Sequence, residues 1–369
     1  MQYRCSICSR TYRWETGRYV CDCGGLFQIE YTKEVLDFDL LGHVREPSLW
    51  RYAQALPPFS TETILQVSMQ EGGTPLIQLD THLWGKTDYF MPTLSFKDRG
   101  AVVLVAAMRE LRVKRCVIDS SGNAGTALAA YCARADIECE VFVPSTTSSQ
   151  KIAQIEAYQA LVHCIEGGRE ATAQACLTRV QQTGTFYASH VYNPLFWEGT
   201  KTYLYEIFEQ CNQQLPKLLV VPVGNGTLLM GIAIALQELK RWNYITEFPL
   251  LIAVQALNCA PLATAFSNGL QEVPSIATMP SLAEGIAIAH PKRGAEILEA
   301  VSALGGMFVT VTEEQILVAQ KALAKRGVFV EYTSAANYAG YRNALALKRE
   351  LEDLDAIIPL CGAGLKSLH

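Results

Sequence analysis

The chain has 369 residues, half of them hydrophobic, with 31 basic and 36 acidic side chains and a net charge of −5. That length suggests about two domains at roughly 150 residues each and enough apolar content for a large core. Charges of both signs are mixed along the chain, with no basic run or aromatic–basic alternation to suggest nucleic acid and no apolar stretch of membrane-spanning length.

The N-terminus, MQYRCSICSR, lacks the apolar segment of a secretory signal. Most of the twelve cysteines sit in apolar or helical contexts and read as reduced, cytoplasmic thiols. Residues 1–31 stand apart. Cys5 and Cys8 form a C-x-x-C knuckle, and Cys21 and Cys23 a C-x-C pair one residue short of the usual form. Four thiolates can close a tetrahedral zinc site. The alternatives are a degenerate ribbon without metal or an oxidised pair. Residues 32–70 read as a polar lead-in, with Pro47, Pro57 and Pro58 marking turns.

Beyond residue 71 strands alternate with helices. KRCVIDSS (114–121) reads as a buried strand and GNAGTALAAYCARA as the helix after it; CEVFVP (139–144) is followed by helical SSQKIAQIEAYQA; KLLVVPVG (217–224) leads into GTLLMGIAIALQELKRW; PLLIAVQA (249–256) and DAIIPLCG (355–362) are further strands. Apolar strands alternating with helices imply a parallel sheet covered on both faces, whose ligands bind at the carboxyl ends of the strands. Three of these strands run into glycine-rich turns: SSGNAG, PVGNGTL and LCGAGLK.

In PVGNGTL, Gly224, Asn225, Gly226 and Thr227 join a strand to a helix, and their N–H groups can converge on an anion such as phosphate. In SSGNAG, Ser120, Ser121, Gly122 and Asn123 place hydroxyls, an amide and free N–H groups where a carboxylate or ring oxygen could bind; a plain helix N-cap uses the same residue types. The third element is PTLSFKDRGA. Here Lys97 opens an apolar run, and lysine is rarely buried unless paired or used. Either it pairs with Asp98 on a solvated first turn, or it is a desolvated amine able to form a Schiff base. A reactive lysine, a phosphate cradle and a Ser/Asn anion turn together are the parts that pyridoxal phosphate requires.

At this point the chain resembles the fold-type II pyridoxal phosphate enzymes of the threonine synthase-like branch. The resemblance rests on EGGTPL (71–76), PTLSFKDRGA, SSGNAG, NPLFWEGTKT (193–202), VPVGNGTLLMG, EGIAIAHP (284–291) and CGAGLK (361–366) in that order, and on the ribbon-like start. It implies that Lys97 carries the cofactor and shuttles the proton, that Phe96 orients Lys97, and that Asn123 bonds the cofactor's phenolic oxygen. Ser120, Ser121 and Gly122 would hold the substrate carboxylate, and Gly224–Thr227 the phosphate. Cys361 falls where the family usually places Ser or Thr beside the pyridine nitrogen. A neutral partner there favours elimination and replacement over transamination; the same cysteine also suits a small buried hydrophobe ending a strand.

The implied fold is a two-domain α/β parallel-sheet structure. Its expected parts are a ribbon-like segment with four cysteines (1–31), a large cofactor-binding domain (32–113 and 195–369) and a small inserted domain (114–194), with the cofactor between them. A homodimer acting on a small amino-acid substrate is expected. The implied activity is that of an amino-acid lyase or synthase, with threonine synthase, acting on O-phosphohomoserine, leading. The rivals are a serine/threonine dehydratase, a β-replacement synthase resembling cysteate synthase, and a non-catalytic paralogue that binds small molecules. The sequence departs from strict threonine synthases at Phe196/Trp197, where an arginine usually binds the substrate phosphate, and at Tyr332 and Ala363. Lys201 and Arg99 are the candidate replacement cations.

Overall fold

The computed structural model describes residues 1–120 and 122–367. Its strands, in chain order, are β1 (Gln2–Cys5), β2 (Thr11–Arg13), β3 (Phe27–Glu30), β4 (Leu76–Asp80), β5 (Leu83–Lys86), β6 (Arg115–Ile118), β7 (Glu138–Pro144), β8 (Leu161–Ile165), β9 (Phe186–Tyr187), β10 (Leu218–Pro222), β11 (Leu250–Ala256), β12 (Met307–Val311) and β13 (Ala356–Pro359). The chain divides into two compact units, residues 1–71 with 97–199, and residues 72–96 with 200–368.

The first unit holds two sheets. The N-terminal one is antiparallel, in the order β2-β1-β3, with Tyr3 stacked on Phe27 at 5.2 Å beneath the cysteine turns. Tyr19 packs edge-on against Tyr187 and Tyr192. The second sheet is parallel, in the order β8-β7-β6-β9. Helix Asn123–Arg134 lies on β7 and against helix Lys97–Glu110, which also meets helix Thr61–Val67. By this packing residues 32–71 and 97–113 share a compact unit with the small sheet. The physical reason is the 97–110 helix, whose residues 98–108 are all buried. A helix buried this completely needs cover on every side, and helices Asn123–Arg134 and Thr61–Val67 of the same unit pack against it.

The second unit is built on a six-stranded sheet, order β12-β11-β10-β13-β5-β4, parallel except for β4. Its interior strands β10 and β11 are Val/Leu/Ile-rich and almost wholly buried, as strands covered on both faces must be. Helix Tyr332–Leu347 packs on β10, β11, β12 and β13; Gly340 lets it approach, since a Cβ there would lie 2.4 Å from Val254. Helix Thr227–Arg241 returns along β10. The parallel α/β character expected from the sequence is present as two such sheets. Among the described residues no helix is long and apolar enough to cross a membrane.

Candidate active site

In the first unit, Lys97 is the first residue of its helix, half-buried, with Nζ 5.9 Å from the centroid of the Phe196 ring. Asp98 and Arg99 behind it are fully buried, so the first turn is not a solvated face on which a surface ion pair would form. The motif glycines explain how the segment is held. A Cβ on Gly100 would lie 2.3 Å from the Phe196 ring, and one on Gly199 would lie 2.0 Å from the Arg99 carbonyl oxygen. Helix Leu195–Thr200 thus meets the lysine helix backbone to backbone. Phe196 and Trp197 are core residues, and Phe196 fills the space over Gly100. That packing accounts for an aromatic where an arginine was expected.

Asn123 is the first residue of helix Asn123–Arg134, and the N-cap position is Gly122, which has no side chain to cap with. Neither Ser120 nor Asn123 therefore occupies the N-cap position. Gly125 permits the turn itself: a Cβ there would sit 1.9 Å from the Ser120 carbonyl oxygen. Ser121 lies outside the described residues. His190, which sequence spacing marks as unremarkable, has an Nδ1 that is buried and without a hydrogen-bond partner. Burial first, then the nearby Lys97 charge, push its pKa well below the ordinary imidazole value. It stands edge-on to Phe196, with ring centroids 5.8 Å apart. Glu71, opening the EGGTPL motif, is buried and accepts from Tyr131, Ser68 and the Met69 N–H.

In the second unit, Gly73 and Thr74 of the same motif donate their N–H groups to Glu206 at 2.9 and 2.7 Å. Glu206 is paired with the fully buried Lys86, which also donates to the Thr74 carbonyl and to Gln210. Neither Lys86 nor Glu206 stands out by pattern, because their pairing spans 120 residues. The segment before Lys97 is laid against the CGAG turn: the Phe96 N–H donates to the Cys361 carbonyl at 2.9 Å, and Ser95 bridges Gly362. Leu94 is held at φ 61° to make this connection. A left-handed non-glycine residue costs about 1–2 kcal/mol, and such strain gathers at functional sites.

Cys361 is fully buried, with its Sγ 3.9 Å from Asn337 Nδ2; the Asn337 Oδ1 is buried without a partner. Gly224–Gly226 join β10 to helix Thr227–Arg241. Gly226 is the N-cap at φ 75°, with no side-chain cap, so no capping side chain occupies the anion-attracting start of this fifteen-residue helix. A Cβ on Gly226 would meet Ile297 at 2.5 Å, and one on Gly224 would meet Ile288 at 2.8 Å. Lys201, one candidate replacement cation, is fully buried and paired with Glu238 at 3.2 Å, with Tyr205 donating to the same carboxylate. Arg99, the other, is fully buried at the start of the lysine helix.

The family described as pyridoxal-phosphate dependent enzyme matches residues 67–362. The chain belongs to that family. Within it, the chain is 34% identical over 358 residues to the threonine synthase of Methanocaldococcus jannaschii, covering 94% of this chain and 88% of that protein. It is 32% identical to the threonine synthase of Methanosarcina acetivorans, covering 92% and 85%. Solved structures of similar fold include threonine deaminase isoform 2 from Solanum lycopersicum, with TM-score 0.70 and 20% identity over 91% of this chain and 88% of that one. Maize serine racemase gives TM-score 0.68 and 20% identity over 82% and 92%. The residues present fit the family's cofactor on two grounds: an uncapped, side-chain-free helix N-terminus for its phosphate, and an amine set at the head of a buried helix.

In the N-terminal sheet the four sulfurs of Cys5, Cys8, Cys21 and Cys23 lie within 4.8 Å of one another. The Cys5–Cys23 and Cys8–Cys21 separations are both 3.5 Å, and the Ile7 and Cys8 N–H groups point at the Cys5 sulfur.

Proposed function

We propose that this protein is a threonine synthase, converting O-phosphohomoserine and water to threonine and phosphate. The observation that carries the reading is identity above 30% to threonine synthases over nearly the whole chain, with Lys97 at the head of its buried helix. Pyridoxal phosphate would be held by Lys97 at its aldehyde, by Gly224, Asn225, Gly226 and Thr227 at its phosphate, by Asn123 at its phenolic oxygen and by Cys361 at its ring nitrogen. When bound, it supplies an electron sink that acidifies the C–H bonds of an attached amino acid. Phe96, tied to Cys361 by its backbone, fixes the chain direction from which Lys97 departs. Lys97 Nζ accepts and returns the substrate protons, and its place over the Phe196 ring restricts where that amine can swing. Ser120, Ser121 and the Gly122 N–H would take the substrate carboxylate. Cys361 would set a thiol rather than a carboxylate beside the ring nitrogen, which would favour loss and replacement of a leaving group.

A second reading, a dehydratase or β-replacement enzyme for a smaller amino acid, is favoured by one observation. The aromatic at the expected arginine position is a core residue, and Lys201 is already neutralised by Glu238. Supplying O-phosphohomoserine, serine and threonine in turn, with free phosphate and 2-oxo acid as readouts, separates the two. Phosphate with threonine supports the synthase; 2-oxo acid from serine or threonine, without turnover of phosphohomoserine, overturns it. The intact Lys97 argues against a non-catalytic paralogue.

The reading extends to the N-terminal cysteines, which we assign to zinc in a ribbon. Zn–S bonds of about 2.3 Å give a tetrahedral edge of roughly 3.8 Å, close to the paired sulfur separations. Elemental analysis finding less than one zinc per chain would remove that assignment. A cytoplasmic homodimer completes the proposal.

A further inference from the structure

A second thiol cluster lies away from the N-terminal sheet. Cys116 on β6 and Cys139 on β7 are register partners on adjacent parallel strands, so their side chains leave the same face of the sheet. Cys132 comes from helix Asn123–Arg134, which covers β7. The Cys116 and Cys132 sulfurs are 3.6 Å apart, and all three sulfurs lie within 4.8 Å of one another. Cys116 and Cys132 are wholly buried and Cys139 nearly so. At 3.6 Å the Cys116–Cys132 pair is not a disulfide, whose sulfurs stand about 2.05 Å apart, and all three cysteines are free thiols.

From this geometry we infer that Cys116, Cys132 and Cys139 form a binding site for a trivalent thiophilic metalloid, of which As(III) is the type. Charge selects the ligand. Three thiolates bring three negative charges into a dry interior, where each uncompensated ion costs several kcal/mol. A monovalent soft ion such as Cu(I) would leave a net charge of −2, and zinc would leave −1. Zinc also wants a fourth ligand, and among the described residues the cluster offers three. The neighbouring Glu140 is already matched by Arg179 at 2.8 Å and His163 at 3.0 Å. A trivalent centre with three thiolates is neutral and complete. The reaction balances without oxidant or reductant: As(OH)3 and three thiols give As(S-Cys)3 and three waters. Three As–O and three S–H bonds break, three As–S bonds form, and each thiol proton leaves on a departing hydroxide. Entry needs a local opening of helix Asn123–Arg134 from the sheet. The product would staple that helix, whose first residue is Asn123, to β6 and β7.

The test uses zinc-loaded holoprotein, so that the N-terminal thiols are occupied, incubated with arsenite under reducing conditions and then desalted. Wild type is expected to retain one arsenic per chain, with three sulfur neighbours by X-ray absorption. Cys116→Val, Cys132→Ala and Cys139→Val should each retain none or show a shell of two sulfurs and one oxygen. Cofactor content and melting temperature identify those variants that still fold; if one does not, Cys→Ser at the same position replaces it. Equal arsenic retention in wild type and all folded variants, no retention in wild type, or a two-sulfur shell in wild type would each overturn the assignment.

Discussion

Replacing Gly125 by Ala adds a single methyl where the Ser/Asn turn folds back on its helix. The new Cβ would lie 1.9 Å from the Ser120 carbonyl oxygen and 3.1 Å from its carbon, both backbone atoms that cannot rotate away. To reach 3.0 Å, the closest approach that real side-chain carbons make, the Ser120 carbonyl must retreat by about 1 Å. Overpacking of this kind costs about 1–3 kcal/mol, while alanine in a helix returns about 1 kcal/mol over glycine. Global stability should thus fall by no more than roughly 2 kcal/mol, and the melting temperature by only a few degrees. Activity should suffer more. A displacement of about 1 Å in a positioning group can cost about 100-fold, and the displaced turn carries Ser120, Gly122 and Asn123. The assay is kcat/KM for phosphate release beside the melting temperature, with Ala133→Gly as control. That exposed helix position loses about 1 kcal/mol of propensity without touching Ser120. Wild-type kcat/KM in Gly125→Ala would refute the claim that the turn is packed on the helix backbone and positions the substrate.

Lys97→Ala should abolish covalent cofactor attachment; borohydride reduction and peptide mapping of the wild type should place the label on Lys97, and label on another lysine would move the site. Gly226→Asp should lose most of its cofactor affinity, since it sets a carboxylate and a Cβ clash with Ile297 where phosphate would approach N–H groups; undiminished affinity would put the cradle elsewhere. Glu206→Ala leaves Lys86 buried without its carboxylate and should cost about 3–5 kcal/mol in denaturant titration, whereas the double change Lys86→Met/Glu206→Leu should recover most of it. His190 is held neutral in the folded state, so only the unfolded chain gains its proton near the ordinary value of about 6.5. Its share of stability is therefore present above that pH and lost below it, by up to about 1.4 kcal/mol per pH unit. His190→Asn should flatten the pH dependence of unfolding between about pH 7 and 5, and an unchanged profile would mean that His190 protonates while folded.

The elements easiest to read from sequence were those whose local pattern matches their tertiary setting. β10 is an unbroken apolar run and β11 is interrupted only by Gln255, because both are covered on both faces, and the glycine turns after β10 and β13 mark strand ends. β4, β5, β8 and β12 are short or half-exposed, and little local signal separates them from loop. Which elements pack around the 97–110 helix, whose residues 98–108 are all buried, has no local signal in the sequence. Gly100, Gly125 and Gly199 belong to visible motifs, but the reason for them, backbone or ring atoms that an added Cβ would meet at under 3 Å, exists only in three dimensions. Lys201 shows the converse: adjacency to a motif suggested a phosphate-binding cation, and folding paired it with Glu238, 37 residues away. The cysteine trio was likewise invisible, since Cys116, Cys132 and Cys139 have no recognised ligand spacing and meet only through strand register and helix packing.

The proposed activity has a direct isotopic signature. O-phosphohomoserine carries its phosphate on Cγ, and threonine carries its hydroxyl on Cβ, so the Cγ–O bond must break and water must add at Cβ. Turnover of O-phosphohomoserine by the holoprotein in water enriched in heavy oxygen, analysed by mass spectrometry, should place one heavy oxygen in the threonine hydroxyl and none in the phosphate, and Lys97→Ala should form no threonine. Heavy oxygen in the phosphate with homoserine as product, or no turnover of phosphohomoserine by protein that is fully loaded with cofactor, would contradict the threonine synthase reading.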